Sequence, residues 1–184
     1  ISRFFSPSMV TPYQIANRYF MVSMLLFTIL CVPYWSATTD AYAKHDFVWI
    51  RQANRTLNKI MLGIALLIAL MTIGSPLVYH IWIGTKASVP FSMTVLVGLY
   101  ELILILSTRY SFVLNGIGAL RLQLYVTIAM ALCYAPLAIW VVGQYNNINA
   151  LLLLMCFINM PGLVVNIIQY YKIIGGKAKG IWVQ

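Results

Sequence analysis

The spacing of the charged residues constrains this chain more than any other feature of its sequence. Three stretches contain no Asp, Glu, Lys or Arg: residues 19–39 (21 residues), 60–85 (26 residues) and 122–171 (50 residues). A helix needs about 20 predominantly apolar residues to cross a lipid bilayer. The first two stretches are each long enough for one membrane span, and the third is long enough for two.

Five predicted spans account for these stretches and for one further apolar segment. The third stretch divides at residues 143–147, where Gly-Gln-Tyr-Asn-Asn forms a cluster of turn-forming residues. The segment 89–114 is predominantly apolar, and its only charged residues are Glu101 and Arg109. We therefore expect an all-α integral membrane protein with spans at about 19–39, 60–83, 89–114, 122–142 and 150–171.

The composition excludes an ordinary soluble domain. Only 8% of the residues are charged, whereas soluble domains carry about 25%. The net charge of +9 would suit a nucleic-acid surface only if a soluble domain carried it. We expect instead that basic loops face anionic membrane lipids, and that nucleic acid is not a partner.

The distribution of Lys and Arg predicts the orientation of the chain. Five spans place the two ends on opposite sides of the membrane, and cytoplasmic loops are enriched in Lys and Arg. One side carries three of these residues (Arg3, Arg18 and Lys86). The other side carries eight: Lys44, Arg51, Arg55, Lys59, Arg121, Lys172, Lys177 and Lys179. We therefore predict a periplasmic N-terminal end and a cytoplasmic C-terminus.

The predicted cytoplasmic segment 44–59 has an amphipathic pattern. At 100° per residue, apolar residues such as Ile50 and Leu57 cluster on one face of a helix. The opposite face is basic and contains Lys44, Arg51, Arg55 and Lys59. This pattern favours an interfacial helix whose apolar face enters the headgroup boundary. The alternative is a solvated connector, since Val48 interrupts the basic face.

The third span carries a regular series of polar residues. Thr94, Glu101, Thr108 and Asn115 recur every seven residues and therefore share one helix face, beside Arg109. An ionisable group near the middle of a bilayer is costly and should face protein or water. The functional interpretation is a polar cavity wall that attracts an anionic substrate through Arg109 or couples to protons through Glu101. The structural alternative is a protonated or hydrogen-bonded Glu101 and an Arg109 that reaches the headgroups.

Few residues suggest catalysis or a cofactor. The three cysteines fall within spans without a CxxC spacing, and the two histidines have no partner at metal-ligand spacing. Glu101 is the only carboxylate at membrane depth, and the only other acids, Asp40 and Asp46, lie in a loop. We therefore expect no metal, no cofactor and no enzyme activity based on paired acids.

Four runs resemble the C-terminal half of bacterial O-antigen and capsular polysaccharide flippases, which belong to the oligosaccharidyl-lipid/polysaccharide exporter superfamily. These runs are PYWSATTDAYAKHDFVWI (33–50), WIG (82–84), LNGIGALRLQ (114–123) and IIQYYKIIGGKAKGIW (167–182). None is a catalytic signature, so the resemblance rests on their order and spacing. It covers nearly the whole chain. The family's turn before the last helix often has paired glycines, and here only Gly143 is present.

The resemblance implies a fold and a function. Such carriers have two helix bundles around a central cavity and move undecaprenyl-diphosphate-linked oligosaccharides across the bacterial inner membrane. The five spans would then be the last five helices of a two-bundle flippase fold. The preceding N-terminal half of the same protein would supply the rest of the cavity, because the chain begins with Ile1 rather than Met.

Two other functions remain open from the sequence, as does a purely structural membrane subunit. A drug or cation antiporter of the same superfamily would share the fold, but acids should then dominate its cavity. A membrane glycosyltransferase or polymerase would normally carry a large loop with acids, and the longest loop here has only about 20 residues, the length of one membrane span. The expected partners are therefore a lipid-linked oligosaccharide and membrane lipids.

Overall fold

The computed structural model describes residues 5–84 and 88–183, which form five long helices and one short 3₁₀ turn. The helices are α1 (Pro7–Ala43), α2 (Phe47–Ile83), α3 (Phe91–Ile117), α4 (Arg121–Tyr145) and α5 (Ile148–Ile174), and the 3₁₀ turn is Gly180–Trp182. Each long helix has the length and apolar character needed to cross a membrane, and the described residues contain no strand. The predicted all-α membrane-spanning fold is confirmed.

The first helix begins much earlier than the predicted span at 19–39. Helix α1 starts at Pro7 and continues through Arg18. Proline suits the first position of a helix, because its backbone lacks an N–H that would have no partner there. A single charged residue marks the place where a helix leaves an apolar environment, but it does not end the helix. The count of uncharged residues therefore found the apolar part of α1 and missed its start.

The predicted interfacial helix at 44–59 is not a separate element. Lys44 lies in the turn between α1 and α2, and residues 47–59 form the first turns of α2, which continues without a break to Ile83. Gly63 is the glycine nearest to residue 60, and α2 continues through it without a break. The apolar face of this segment also packs differently from the prediction. Ile50 and Leu57 are buried in the protein core.

Side-chain caps begin two of the helices, α2 and α5. Asp46 begins α2 by accepting a hydrogen bond from the backbone N of Trp49 at 2.9 Å. Asn146 ends α4 in the left-handed conformation, and the side chain of Asn147 accepts a hydrogen bond from the backbone N of Asn149 at 2.9 Å. The predicted divider at 143–147 is therefore a turn only at 146–147, because α4 extends through Tyr145.

Helix α3 lies at the centre and packs against α1, α2 and α5. Two glycines allow a close approach. A Cβ atom on Gly98 would lie 3.0 Å from Thr72 Oγ1, and one on Gly116 would lie 2.8 Å from the backbone oxygen of Trp35. Small residues commonly permit this kind of contact between membrane helices. Both glycines therefore lie on the side of α3 that faces α1 and α2.

Helices α3 and α5 run in the same direction. Asn149, at the start of α5, donates a hydrogen bond to Ser92 at the start of α3 (3.1 Å), and Asn166 contacts Ser107 nearer the other end of both helices. Helix α4, which lies between α3 and α5 in the sequence, runs in the opposite direction. It packs mainly against α5 and makes few contacts with α3. This arrangement leaves a gap between α3 and α4.

Candidate functional site

A cavity of about 390 Å³ occupies the gap between α3, α4 and α5. It extends from the middle of these helices towards the α3–α4 turn. Eight hydroxyl and amide side chains contribute to its wall. They are Tyr100, Ser107 and Ser111 of α3, Gln123, Thr127 and Tyr134 of α4, and Asn159 and Asn166 of α5.

The sequence brings these side chains to one place by helical spacing. Ser107 and Ser111 are four residues apart on α3, and Asn159 and Asn166 are seven residues apart on α5. Residues separated by four or seven positions lie on the same side of a helix. Each of these two helices therefore turns a polar stripe into the cavity.

Hydrogen bonds hold part of the cavity wall in place. The Asn166 Nδ2 donates to Ser107 Oγ at 3.2 Å and to Ser111 Oγ at 3.1 Å, which joins α5 to α3. At the end near the α3–α4 turn, Gln123 Nε2 donates to Asn115 Oδ1 at 3.4 Å and to the backbone oxygen of Ala119 at 3.3 Å. These contacts fix the direction of two amide side chains of the wall, Gln123 and Asn166.

Other polar groups in the wall have unused hydrogen-bonding capacity. Among the residues that the structure describes, the hydroxyls of Tyr100, Thr127 and Tyr134 have no hydrogen-bond partner. No charged side chain belongs to the wall formed by the described part of the chain. The cavity therefore presents neutral donors, neutral acceptors and two aromatic rings to a ligand.

The predicted polar face of α3 points elsewhere. Thr94, Glu101 and Arg109 are buried, and Thr108 and Asn115 are partly buried, but none of the five lines the cavity. At 100° per residue they share the helix side of Gly98 and Gly116, which contacts α1 and α2. Only Asn115 approaches the cavity, through its hydrogen bond with Gln123.

Arg109 connects α3 to α2. Its Nη2 donates a hydrogen bond to Oδ1 of the buried Asn54, and its guanidinium carbon lies 4.4 Å from the ring centroid of Tyr110. Its Nε atom is buried and has no partner within residues 5–84 and 88–183. No described carboxylate pairs with this guanidinium. Arg109 is thus a buried positive charge whose hydrogen-bond partner is neutral.

Glu101 lies on the side of α3 away from the cavity. Its side chain is 4% exposed and makes no hydrogen bond or ion pair with any described residue. It interacts electrostatically with Tyr13 of α1 and with Tyr100, which belongs to the cavity wall. Glu101 therefore lies near the cavity without lining it, next to Tyr100 and close to Tyr13, which also interacts with Tyr134 of the cavity wall.

The predicted basic face is divided by the structure. Arg51, Arg55 and Lys59 are exposed on α2. Lys44 lies outside α2 and forms an ion pair with Asp40, with Nζ and Oδ2 2.7 Å apart. The remaining basic surface therefore consists of three residues on one helix, α2. Among the described residues, no three His, Cys, Asp or Glu side chains come together as metal ligands.

The residues that line the cavity were not predicted from the sequence. The seven-residue spacing of Asn159 and Asn166 was the available signal, together with the four-residue spacing of Ser107 and Ser111. Uncharged polar residues are common in membrane helices, where they also bond to their own backbone, as Asn159 Nδ2 does to the Met155 oxygen at 2.7 Å. Charged residues stood out more clearly in the sequence, but they lie outside the wall.

Comparisons with known proteins identify no relative: no protein-family model, no curated protein and no solved structure matches this chain.

Proposed function

We propose that this chain forms part of a membrane transporter that moves undecaprenyl-diphosphate-linked oligosaccharides across the inner membrane of a bacterium. The observation that carries the proposal is the cavity between α3, α4 and α5, whose wall combines eight neutral hydroxyl and amide side chains within membrane-spanning helices. The resemblance of four sequence runs to polysaccharide flippases supports the same function.

The chemistry of the wall suits a sugar. Each sugar hydroxyl loses hydrogen bonds when it leaves water, and this loss costs several kcal/mol per group in hydrocarbon. The amides of Asn159 and Asn166 and the free hydroxyls of Tyr100, Thr127 and Tyr134 can replace those bonds. The volume of about 390 Å³ lies within the range of small-molecule binding sites, about 300–1,000 Å³.

The shape of the cavity suits a lipid-linked substrate. Because α3 and α4 make few contacts, the cavity lies in a gap between helices and is not fully enclosed by them. A lipid-linked sugar needs such a gap, since its hydrocarbon chain stays in the bilayer while its sugar enters the protein. The wall supplied by this chain would face the N-terminal half of the same transporter.

The positions of the charged residues favour this proposal over the two other functions. A cation antiporter would use acids in its cavity, and Glu101 lies outside the cavity wall. An acid-pair enzyme would need two free carboxylates at one site. Asp40 forms an ion pair with Lys44, and Asp46 caps α2. We therefore propose a transporter without enzyme activity.

Deletion of the gene in its own bacterium tests the proposed function. We expect surface polysaccharide to fall and lipid-linked oligosaccharide to accumulate in the inner membrane, because the units can no longer cross. The wild-type gene should restore export. The double variant Asn159→Leu/Asn166→Leu should restore less than about a tenth of it, since it removes two amides that would each contribute about 1 kcal/mol to sugar binding and leaves two serines without their partner.

The matched control is Asn58→Leu, which replaces an exposed asparagine of α2 far from the cavity wall. It should restore export fully. All values are divided by the amount of inserted protein, so that a folding defect is not counted as a transport defect. Unchanged surface polysaccharide after the deletion would rule out the proposed function. Full export by the double variant would exclude this cavity as the sugar site.

A further inference from the structure

The outward side of α2 changes abruptly from basic to apolar. Nine exposed residues follow one another at intervals of three or four and stay within about 120° of the helix circumference. Six are aliphatic and 59–76% exposed: Leu62, Leu66, Leu70, Ile73, Leu77 and Ile81. The other three are Arg51, Arg55 and Lys59, which we call the basic stripe.

The length of the aliphatic part matches a membrane. Leu62 and Ile81 are separated by nineteen positions, or about 28 Å at 1.5 Å per residue. The hydrocarbon core of a bilayer is about 30 Å thick. Lys59 lies one turn beyond Leu62, and Arg51 lies about 12 Å further along the axis. The basic stripe therefore begins where the hydrocarbon ends, passes through the headgroup layer and ends beyond it, since that layer is only about 5–8 Å thick in each leaflet.

The basic stripe is held in a fixed position. Ile50, Ala53 and Leu57, on the opposite side of the same turns, are buried. The stripe thus cannot rotate towards the interior without opening the core. Its charges also lack acidic partners, since none of the three forms an ion pair with a described residue. The three cations are therefore available to anions from outside the protein.

We propose that the basic stripe of α2 is a binding site for the headgroups of acidic phospholipids. The stripe continues directly into a lipid-length aliphatic surface, so a phospholipid whose chains lie along Leu62 and Leu66 would place its phosphate beside Lys59 and Arg55. The diphosphate of a transported lipid is the less suitable occupant, because the cavity is formed by α3, α4 and α5 and not by α2. This inference does not depend on the proposed transport function.

Spin-labelled lipids test the proposal directly. The protein, expressed from its own gene, is reconstituted into phosphatidylcholine bilayers that contain a trace of spin-labelled phosphatidylglycerol or spin-labelled phosphatidylcholine. The motionally restricted fraction of each probe gives its relative affinity for the protein surface. We expect a preference of about threefold or more for phosphatidylglycerol, which decreases as salt is added, because exposed cations near an acidic surface attract it electrostatically.

Two triple variants distinguish the effect of the basic stripe on lipid preference from the effect of the protein's net charge. Arg51→Gln/Arg55→Gln/Lys59→Gln should reduce the preference to near one. Lys172→Gln/Lys177→Gln/Lys179→Gln, the tail variant, removes the same charge from the last turn of α5 and the tail that follows it, where Lys172 lies over the Trp182 ring, and should keep most of the preference. Arg51→Lys/Arg55→Lys should keep it as well, because the charge remains. Circular dichroism and gel filtration verify that each variant is folded.

Four results would overturn the proposal. The first is a wild-type protein that shows no preference for phosphatidylglycerol over phosphatidylcholine. This result would mean that another part of the protein or another partner covers the stripe. The second is a stripe variant that keeps the preference. The third is a tail variant that loses as much as the stripe variant. The fourth is displacement of the phosphatidylglycerol probe by a polyprenyl diphosphate at much lower concentration than by phosphatidylglycerol, which would assign the stripe to the transported lipid.

Discussion

Among single-residue substitutions, we expect those that break the contact between Arg109 and Asn54 to have the largest effect on the stability of the protein. Arg109 is 4% exposed, carries a charge that no described carboxylate neutralises, and has Asn54 as its hydrogen-bond acceptor on α2. A buried charge that loses its partner is strongly destabilising, whereas an apolar residue in its place is often tolerated. The two residues should therefore be strongly coupled.

We predict that Asn54→Leu lowers the free energy of unfolding by about 2–3 kcal/mol, because it leaves the Arg109 guanidinium buried without an acceptor. The double variant Asn54→Leu/Arg109→Leu should recover most of this loss. Thermal unfolding in detergent measures both, and Arg109→Leu alone completes the double-mutant cycle. If the losses of the two single variants simply add in the double variant, the residues are not coupled and the prediction is wrong.

Gly116 gives a second prediction for a single residue. A Cβ atom there would lie 2.8 Å from the Trp35 backbone oxygen and 3.0 Å from Thr38 Cβ. Because a backbone oxygen cannot move away as a flexible side chain can, α1 and α3 would have to separate. Gly116→Ala should therefore destabilise the protein by about 1–3 kcal/mol, as overpacked substitutions do, measured by thermal unfolding in detergent.

The control for Gly116 is Gly63, which also lies inside a helix, but a Cβ atom added there would meet no neighbouring atom within 4 Å. Gly63→Ala should leave stability unchanged or raise it by up to about 1 kcal/mol, since alanine favours a helix more than glycine does. Equal effects of the two substitutions would show that helix propensity, and not the contact between α1 and α3, determines the result.

At the scale of an element, the continuity of α2 is the clearest difference from the sequence prediction. Residues 47–59 were expected to lie flat in the membrane interface, and they instead extend α2 along its own axis. Their apolar face packs against the protein. The basic residues on the other face therefore mark where the membrane ends along α2 and not where a helix begins.

Distances between spin labels distinguish the two arrangements of this segment. Val48 and Leu66 are both exposed and eighteen positions apart, which is five full turns, so labels at these sites point in the same direction. After the native cysteines are replaced, Val48→Cys/Leu66→Cys should give a distance of about 27 Å in pulsed electron resonance. A flat segment joined at a right angle near residue 60 would give about 20 Å, and that value would contradict the continuous helix.

The positions of α3, α4 and α5 agree with the predicted spans to within three residues at each end, because a charge or a turn-forming residue lies close to most of these ends. Helix α3 covers Phe91–Ile117 against a predicted 89–114, for example. The start of α1 and the continuity of α2 were not predictable in this way, because charges such as Arg18 and Lys59 change the surroundings of a helix without ending it.

The direction of each helix face depends on packing that the sequence pattern does not contain. The seven-residue series through Glu101 correctly indicates one side of α3, but its pattern does not tell whether that side meets a cavity or another helix. In the structure this side of α3 faces α1 and α2, and Gly98 and Gly116 allow close contact there. The cavity side of α3 carries Ser107 and Ser111, whose small side chains give a weak signal in sequence.

At the scale of the whole molecule, the five helices alternate in direction and are joined by short turns. The turns at 44–46 and 118–120 lie at one end of the helices, and the turn at 146–147 lies at the other, together with Ser88 before α3. The end with the turns at 44–46 and 118–120 carries most of the Lys and Arg residues, including the basic stripe. The positive-inside rule therefore predicts that this end faces the cytoplasm.

Cysteine labelling in intact cells tests this orientation of the whole molecule. We predict that Ser88→Cys and Asn147→Cys, both at exposed positions, react with an impermeant thiol reagent before lysis, because their end of the helices faces the periplasm. Thr56→Cys, exposed on the basic end of α2, should react only after lysis. Cys31, Cys133 and Cys156 are replaced first, since Cys133 is exposed and would react itself. Reaction of Thr56→Cys in intact cells, with Ser88→Cys and Asn147→Cys protected, would mean that the chain is inserted in the opposite direction. The basic stripe would then meet the outer leaflet of the membrane.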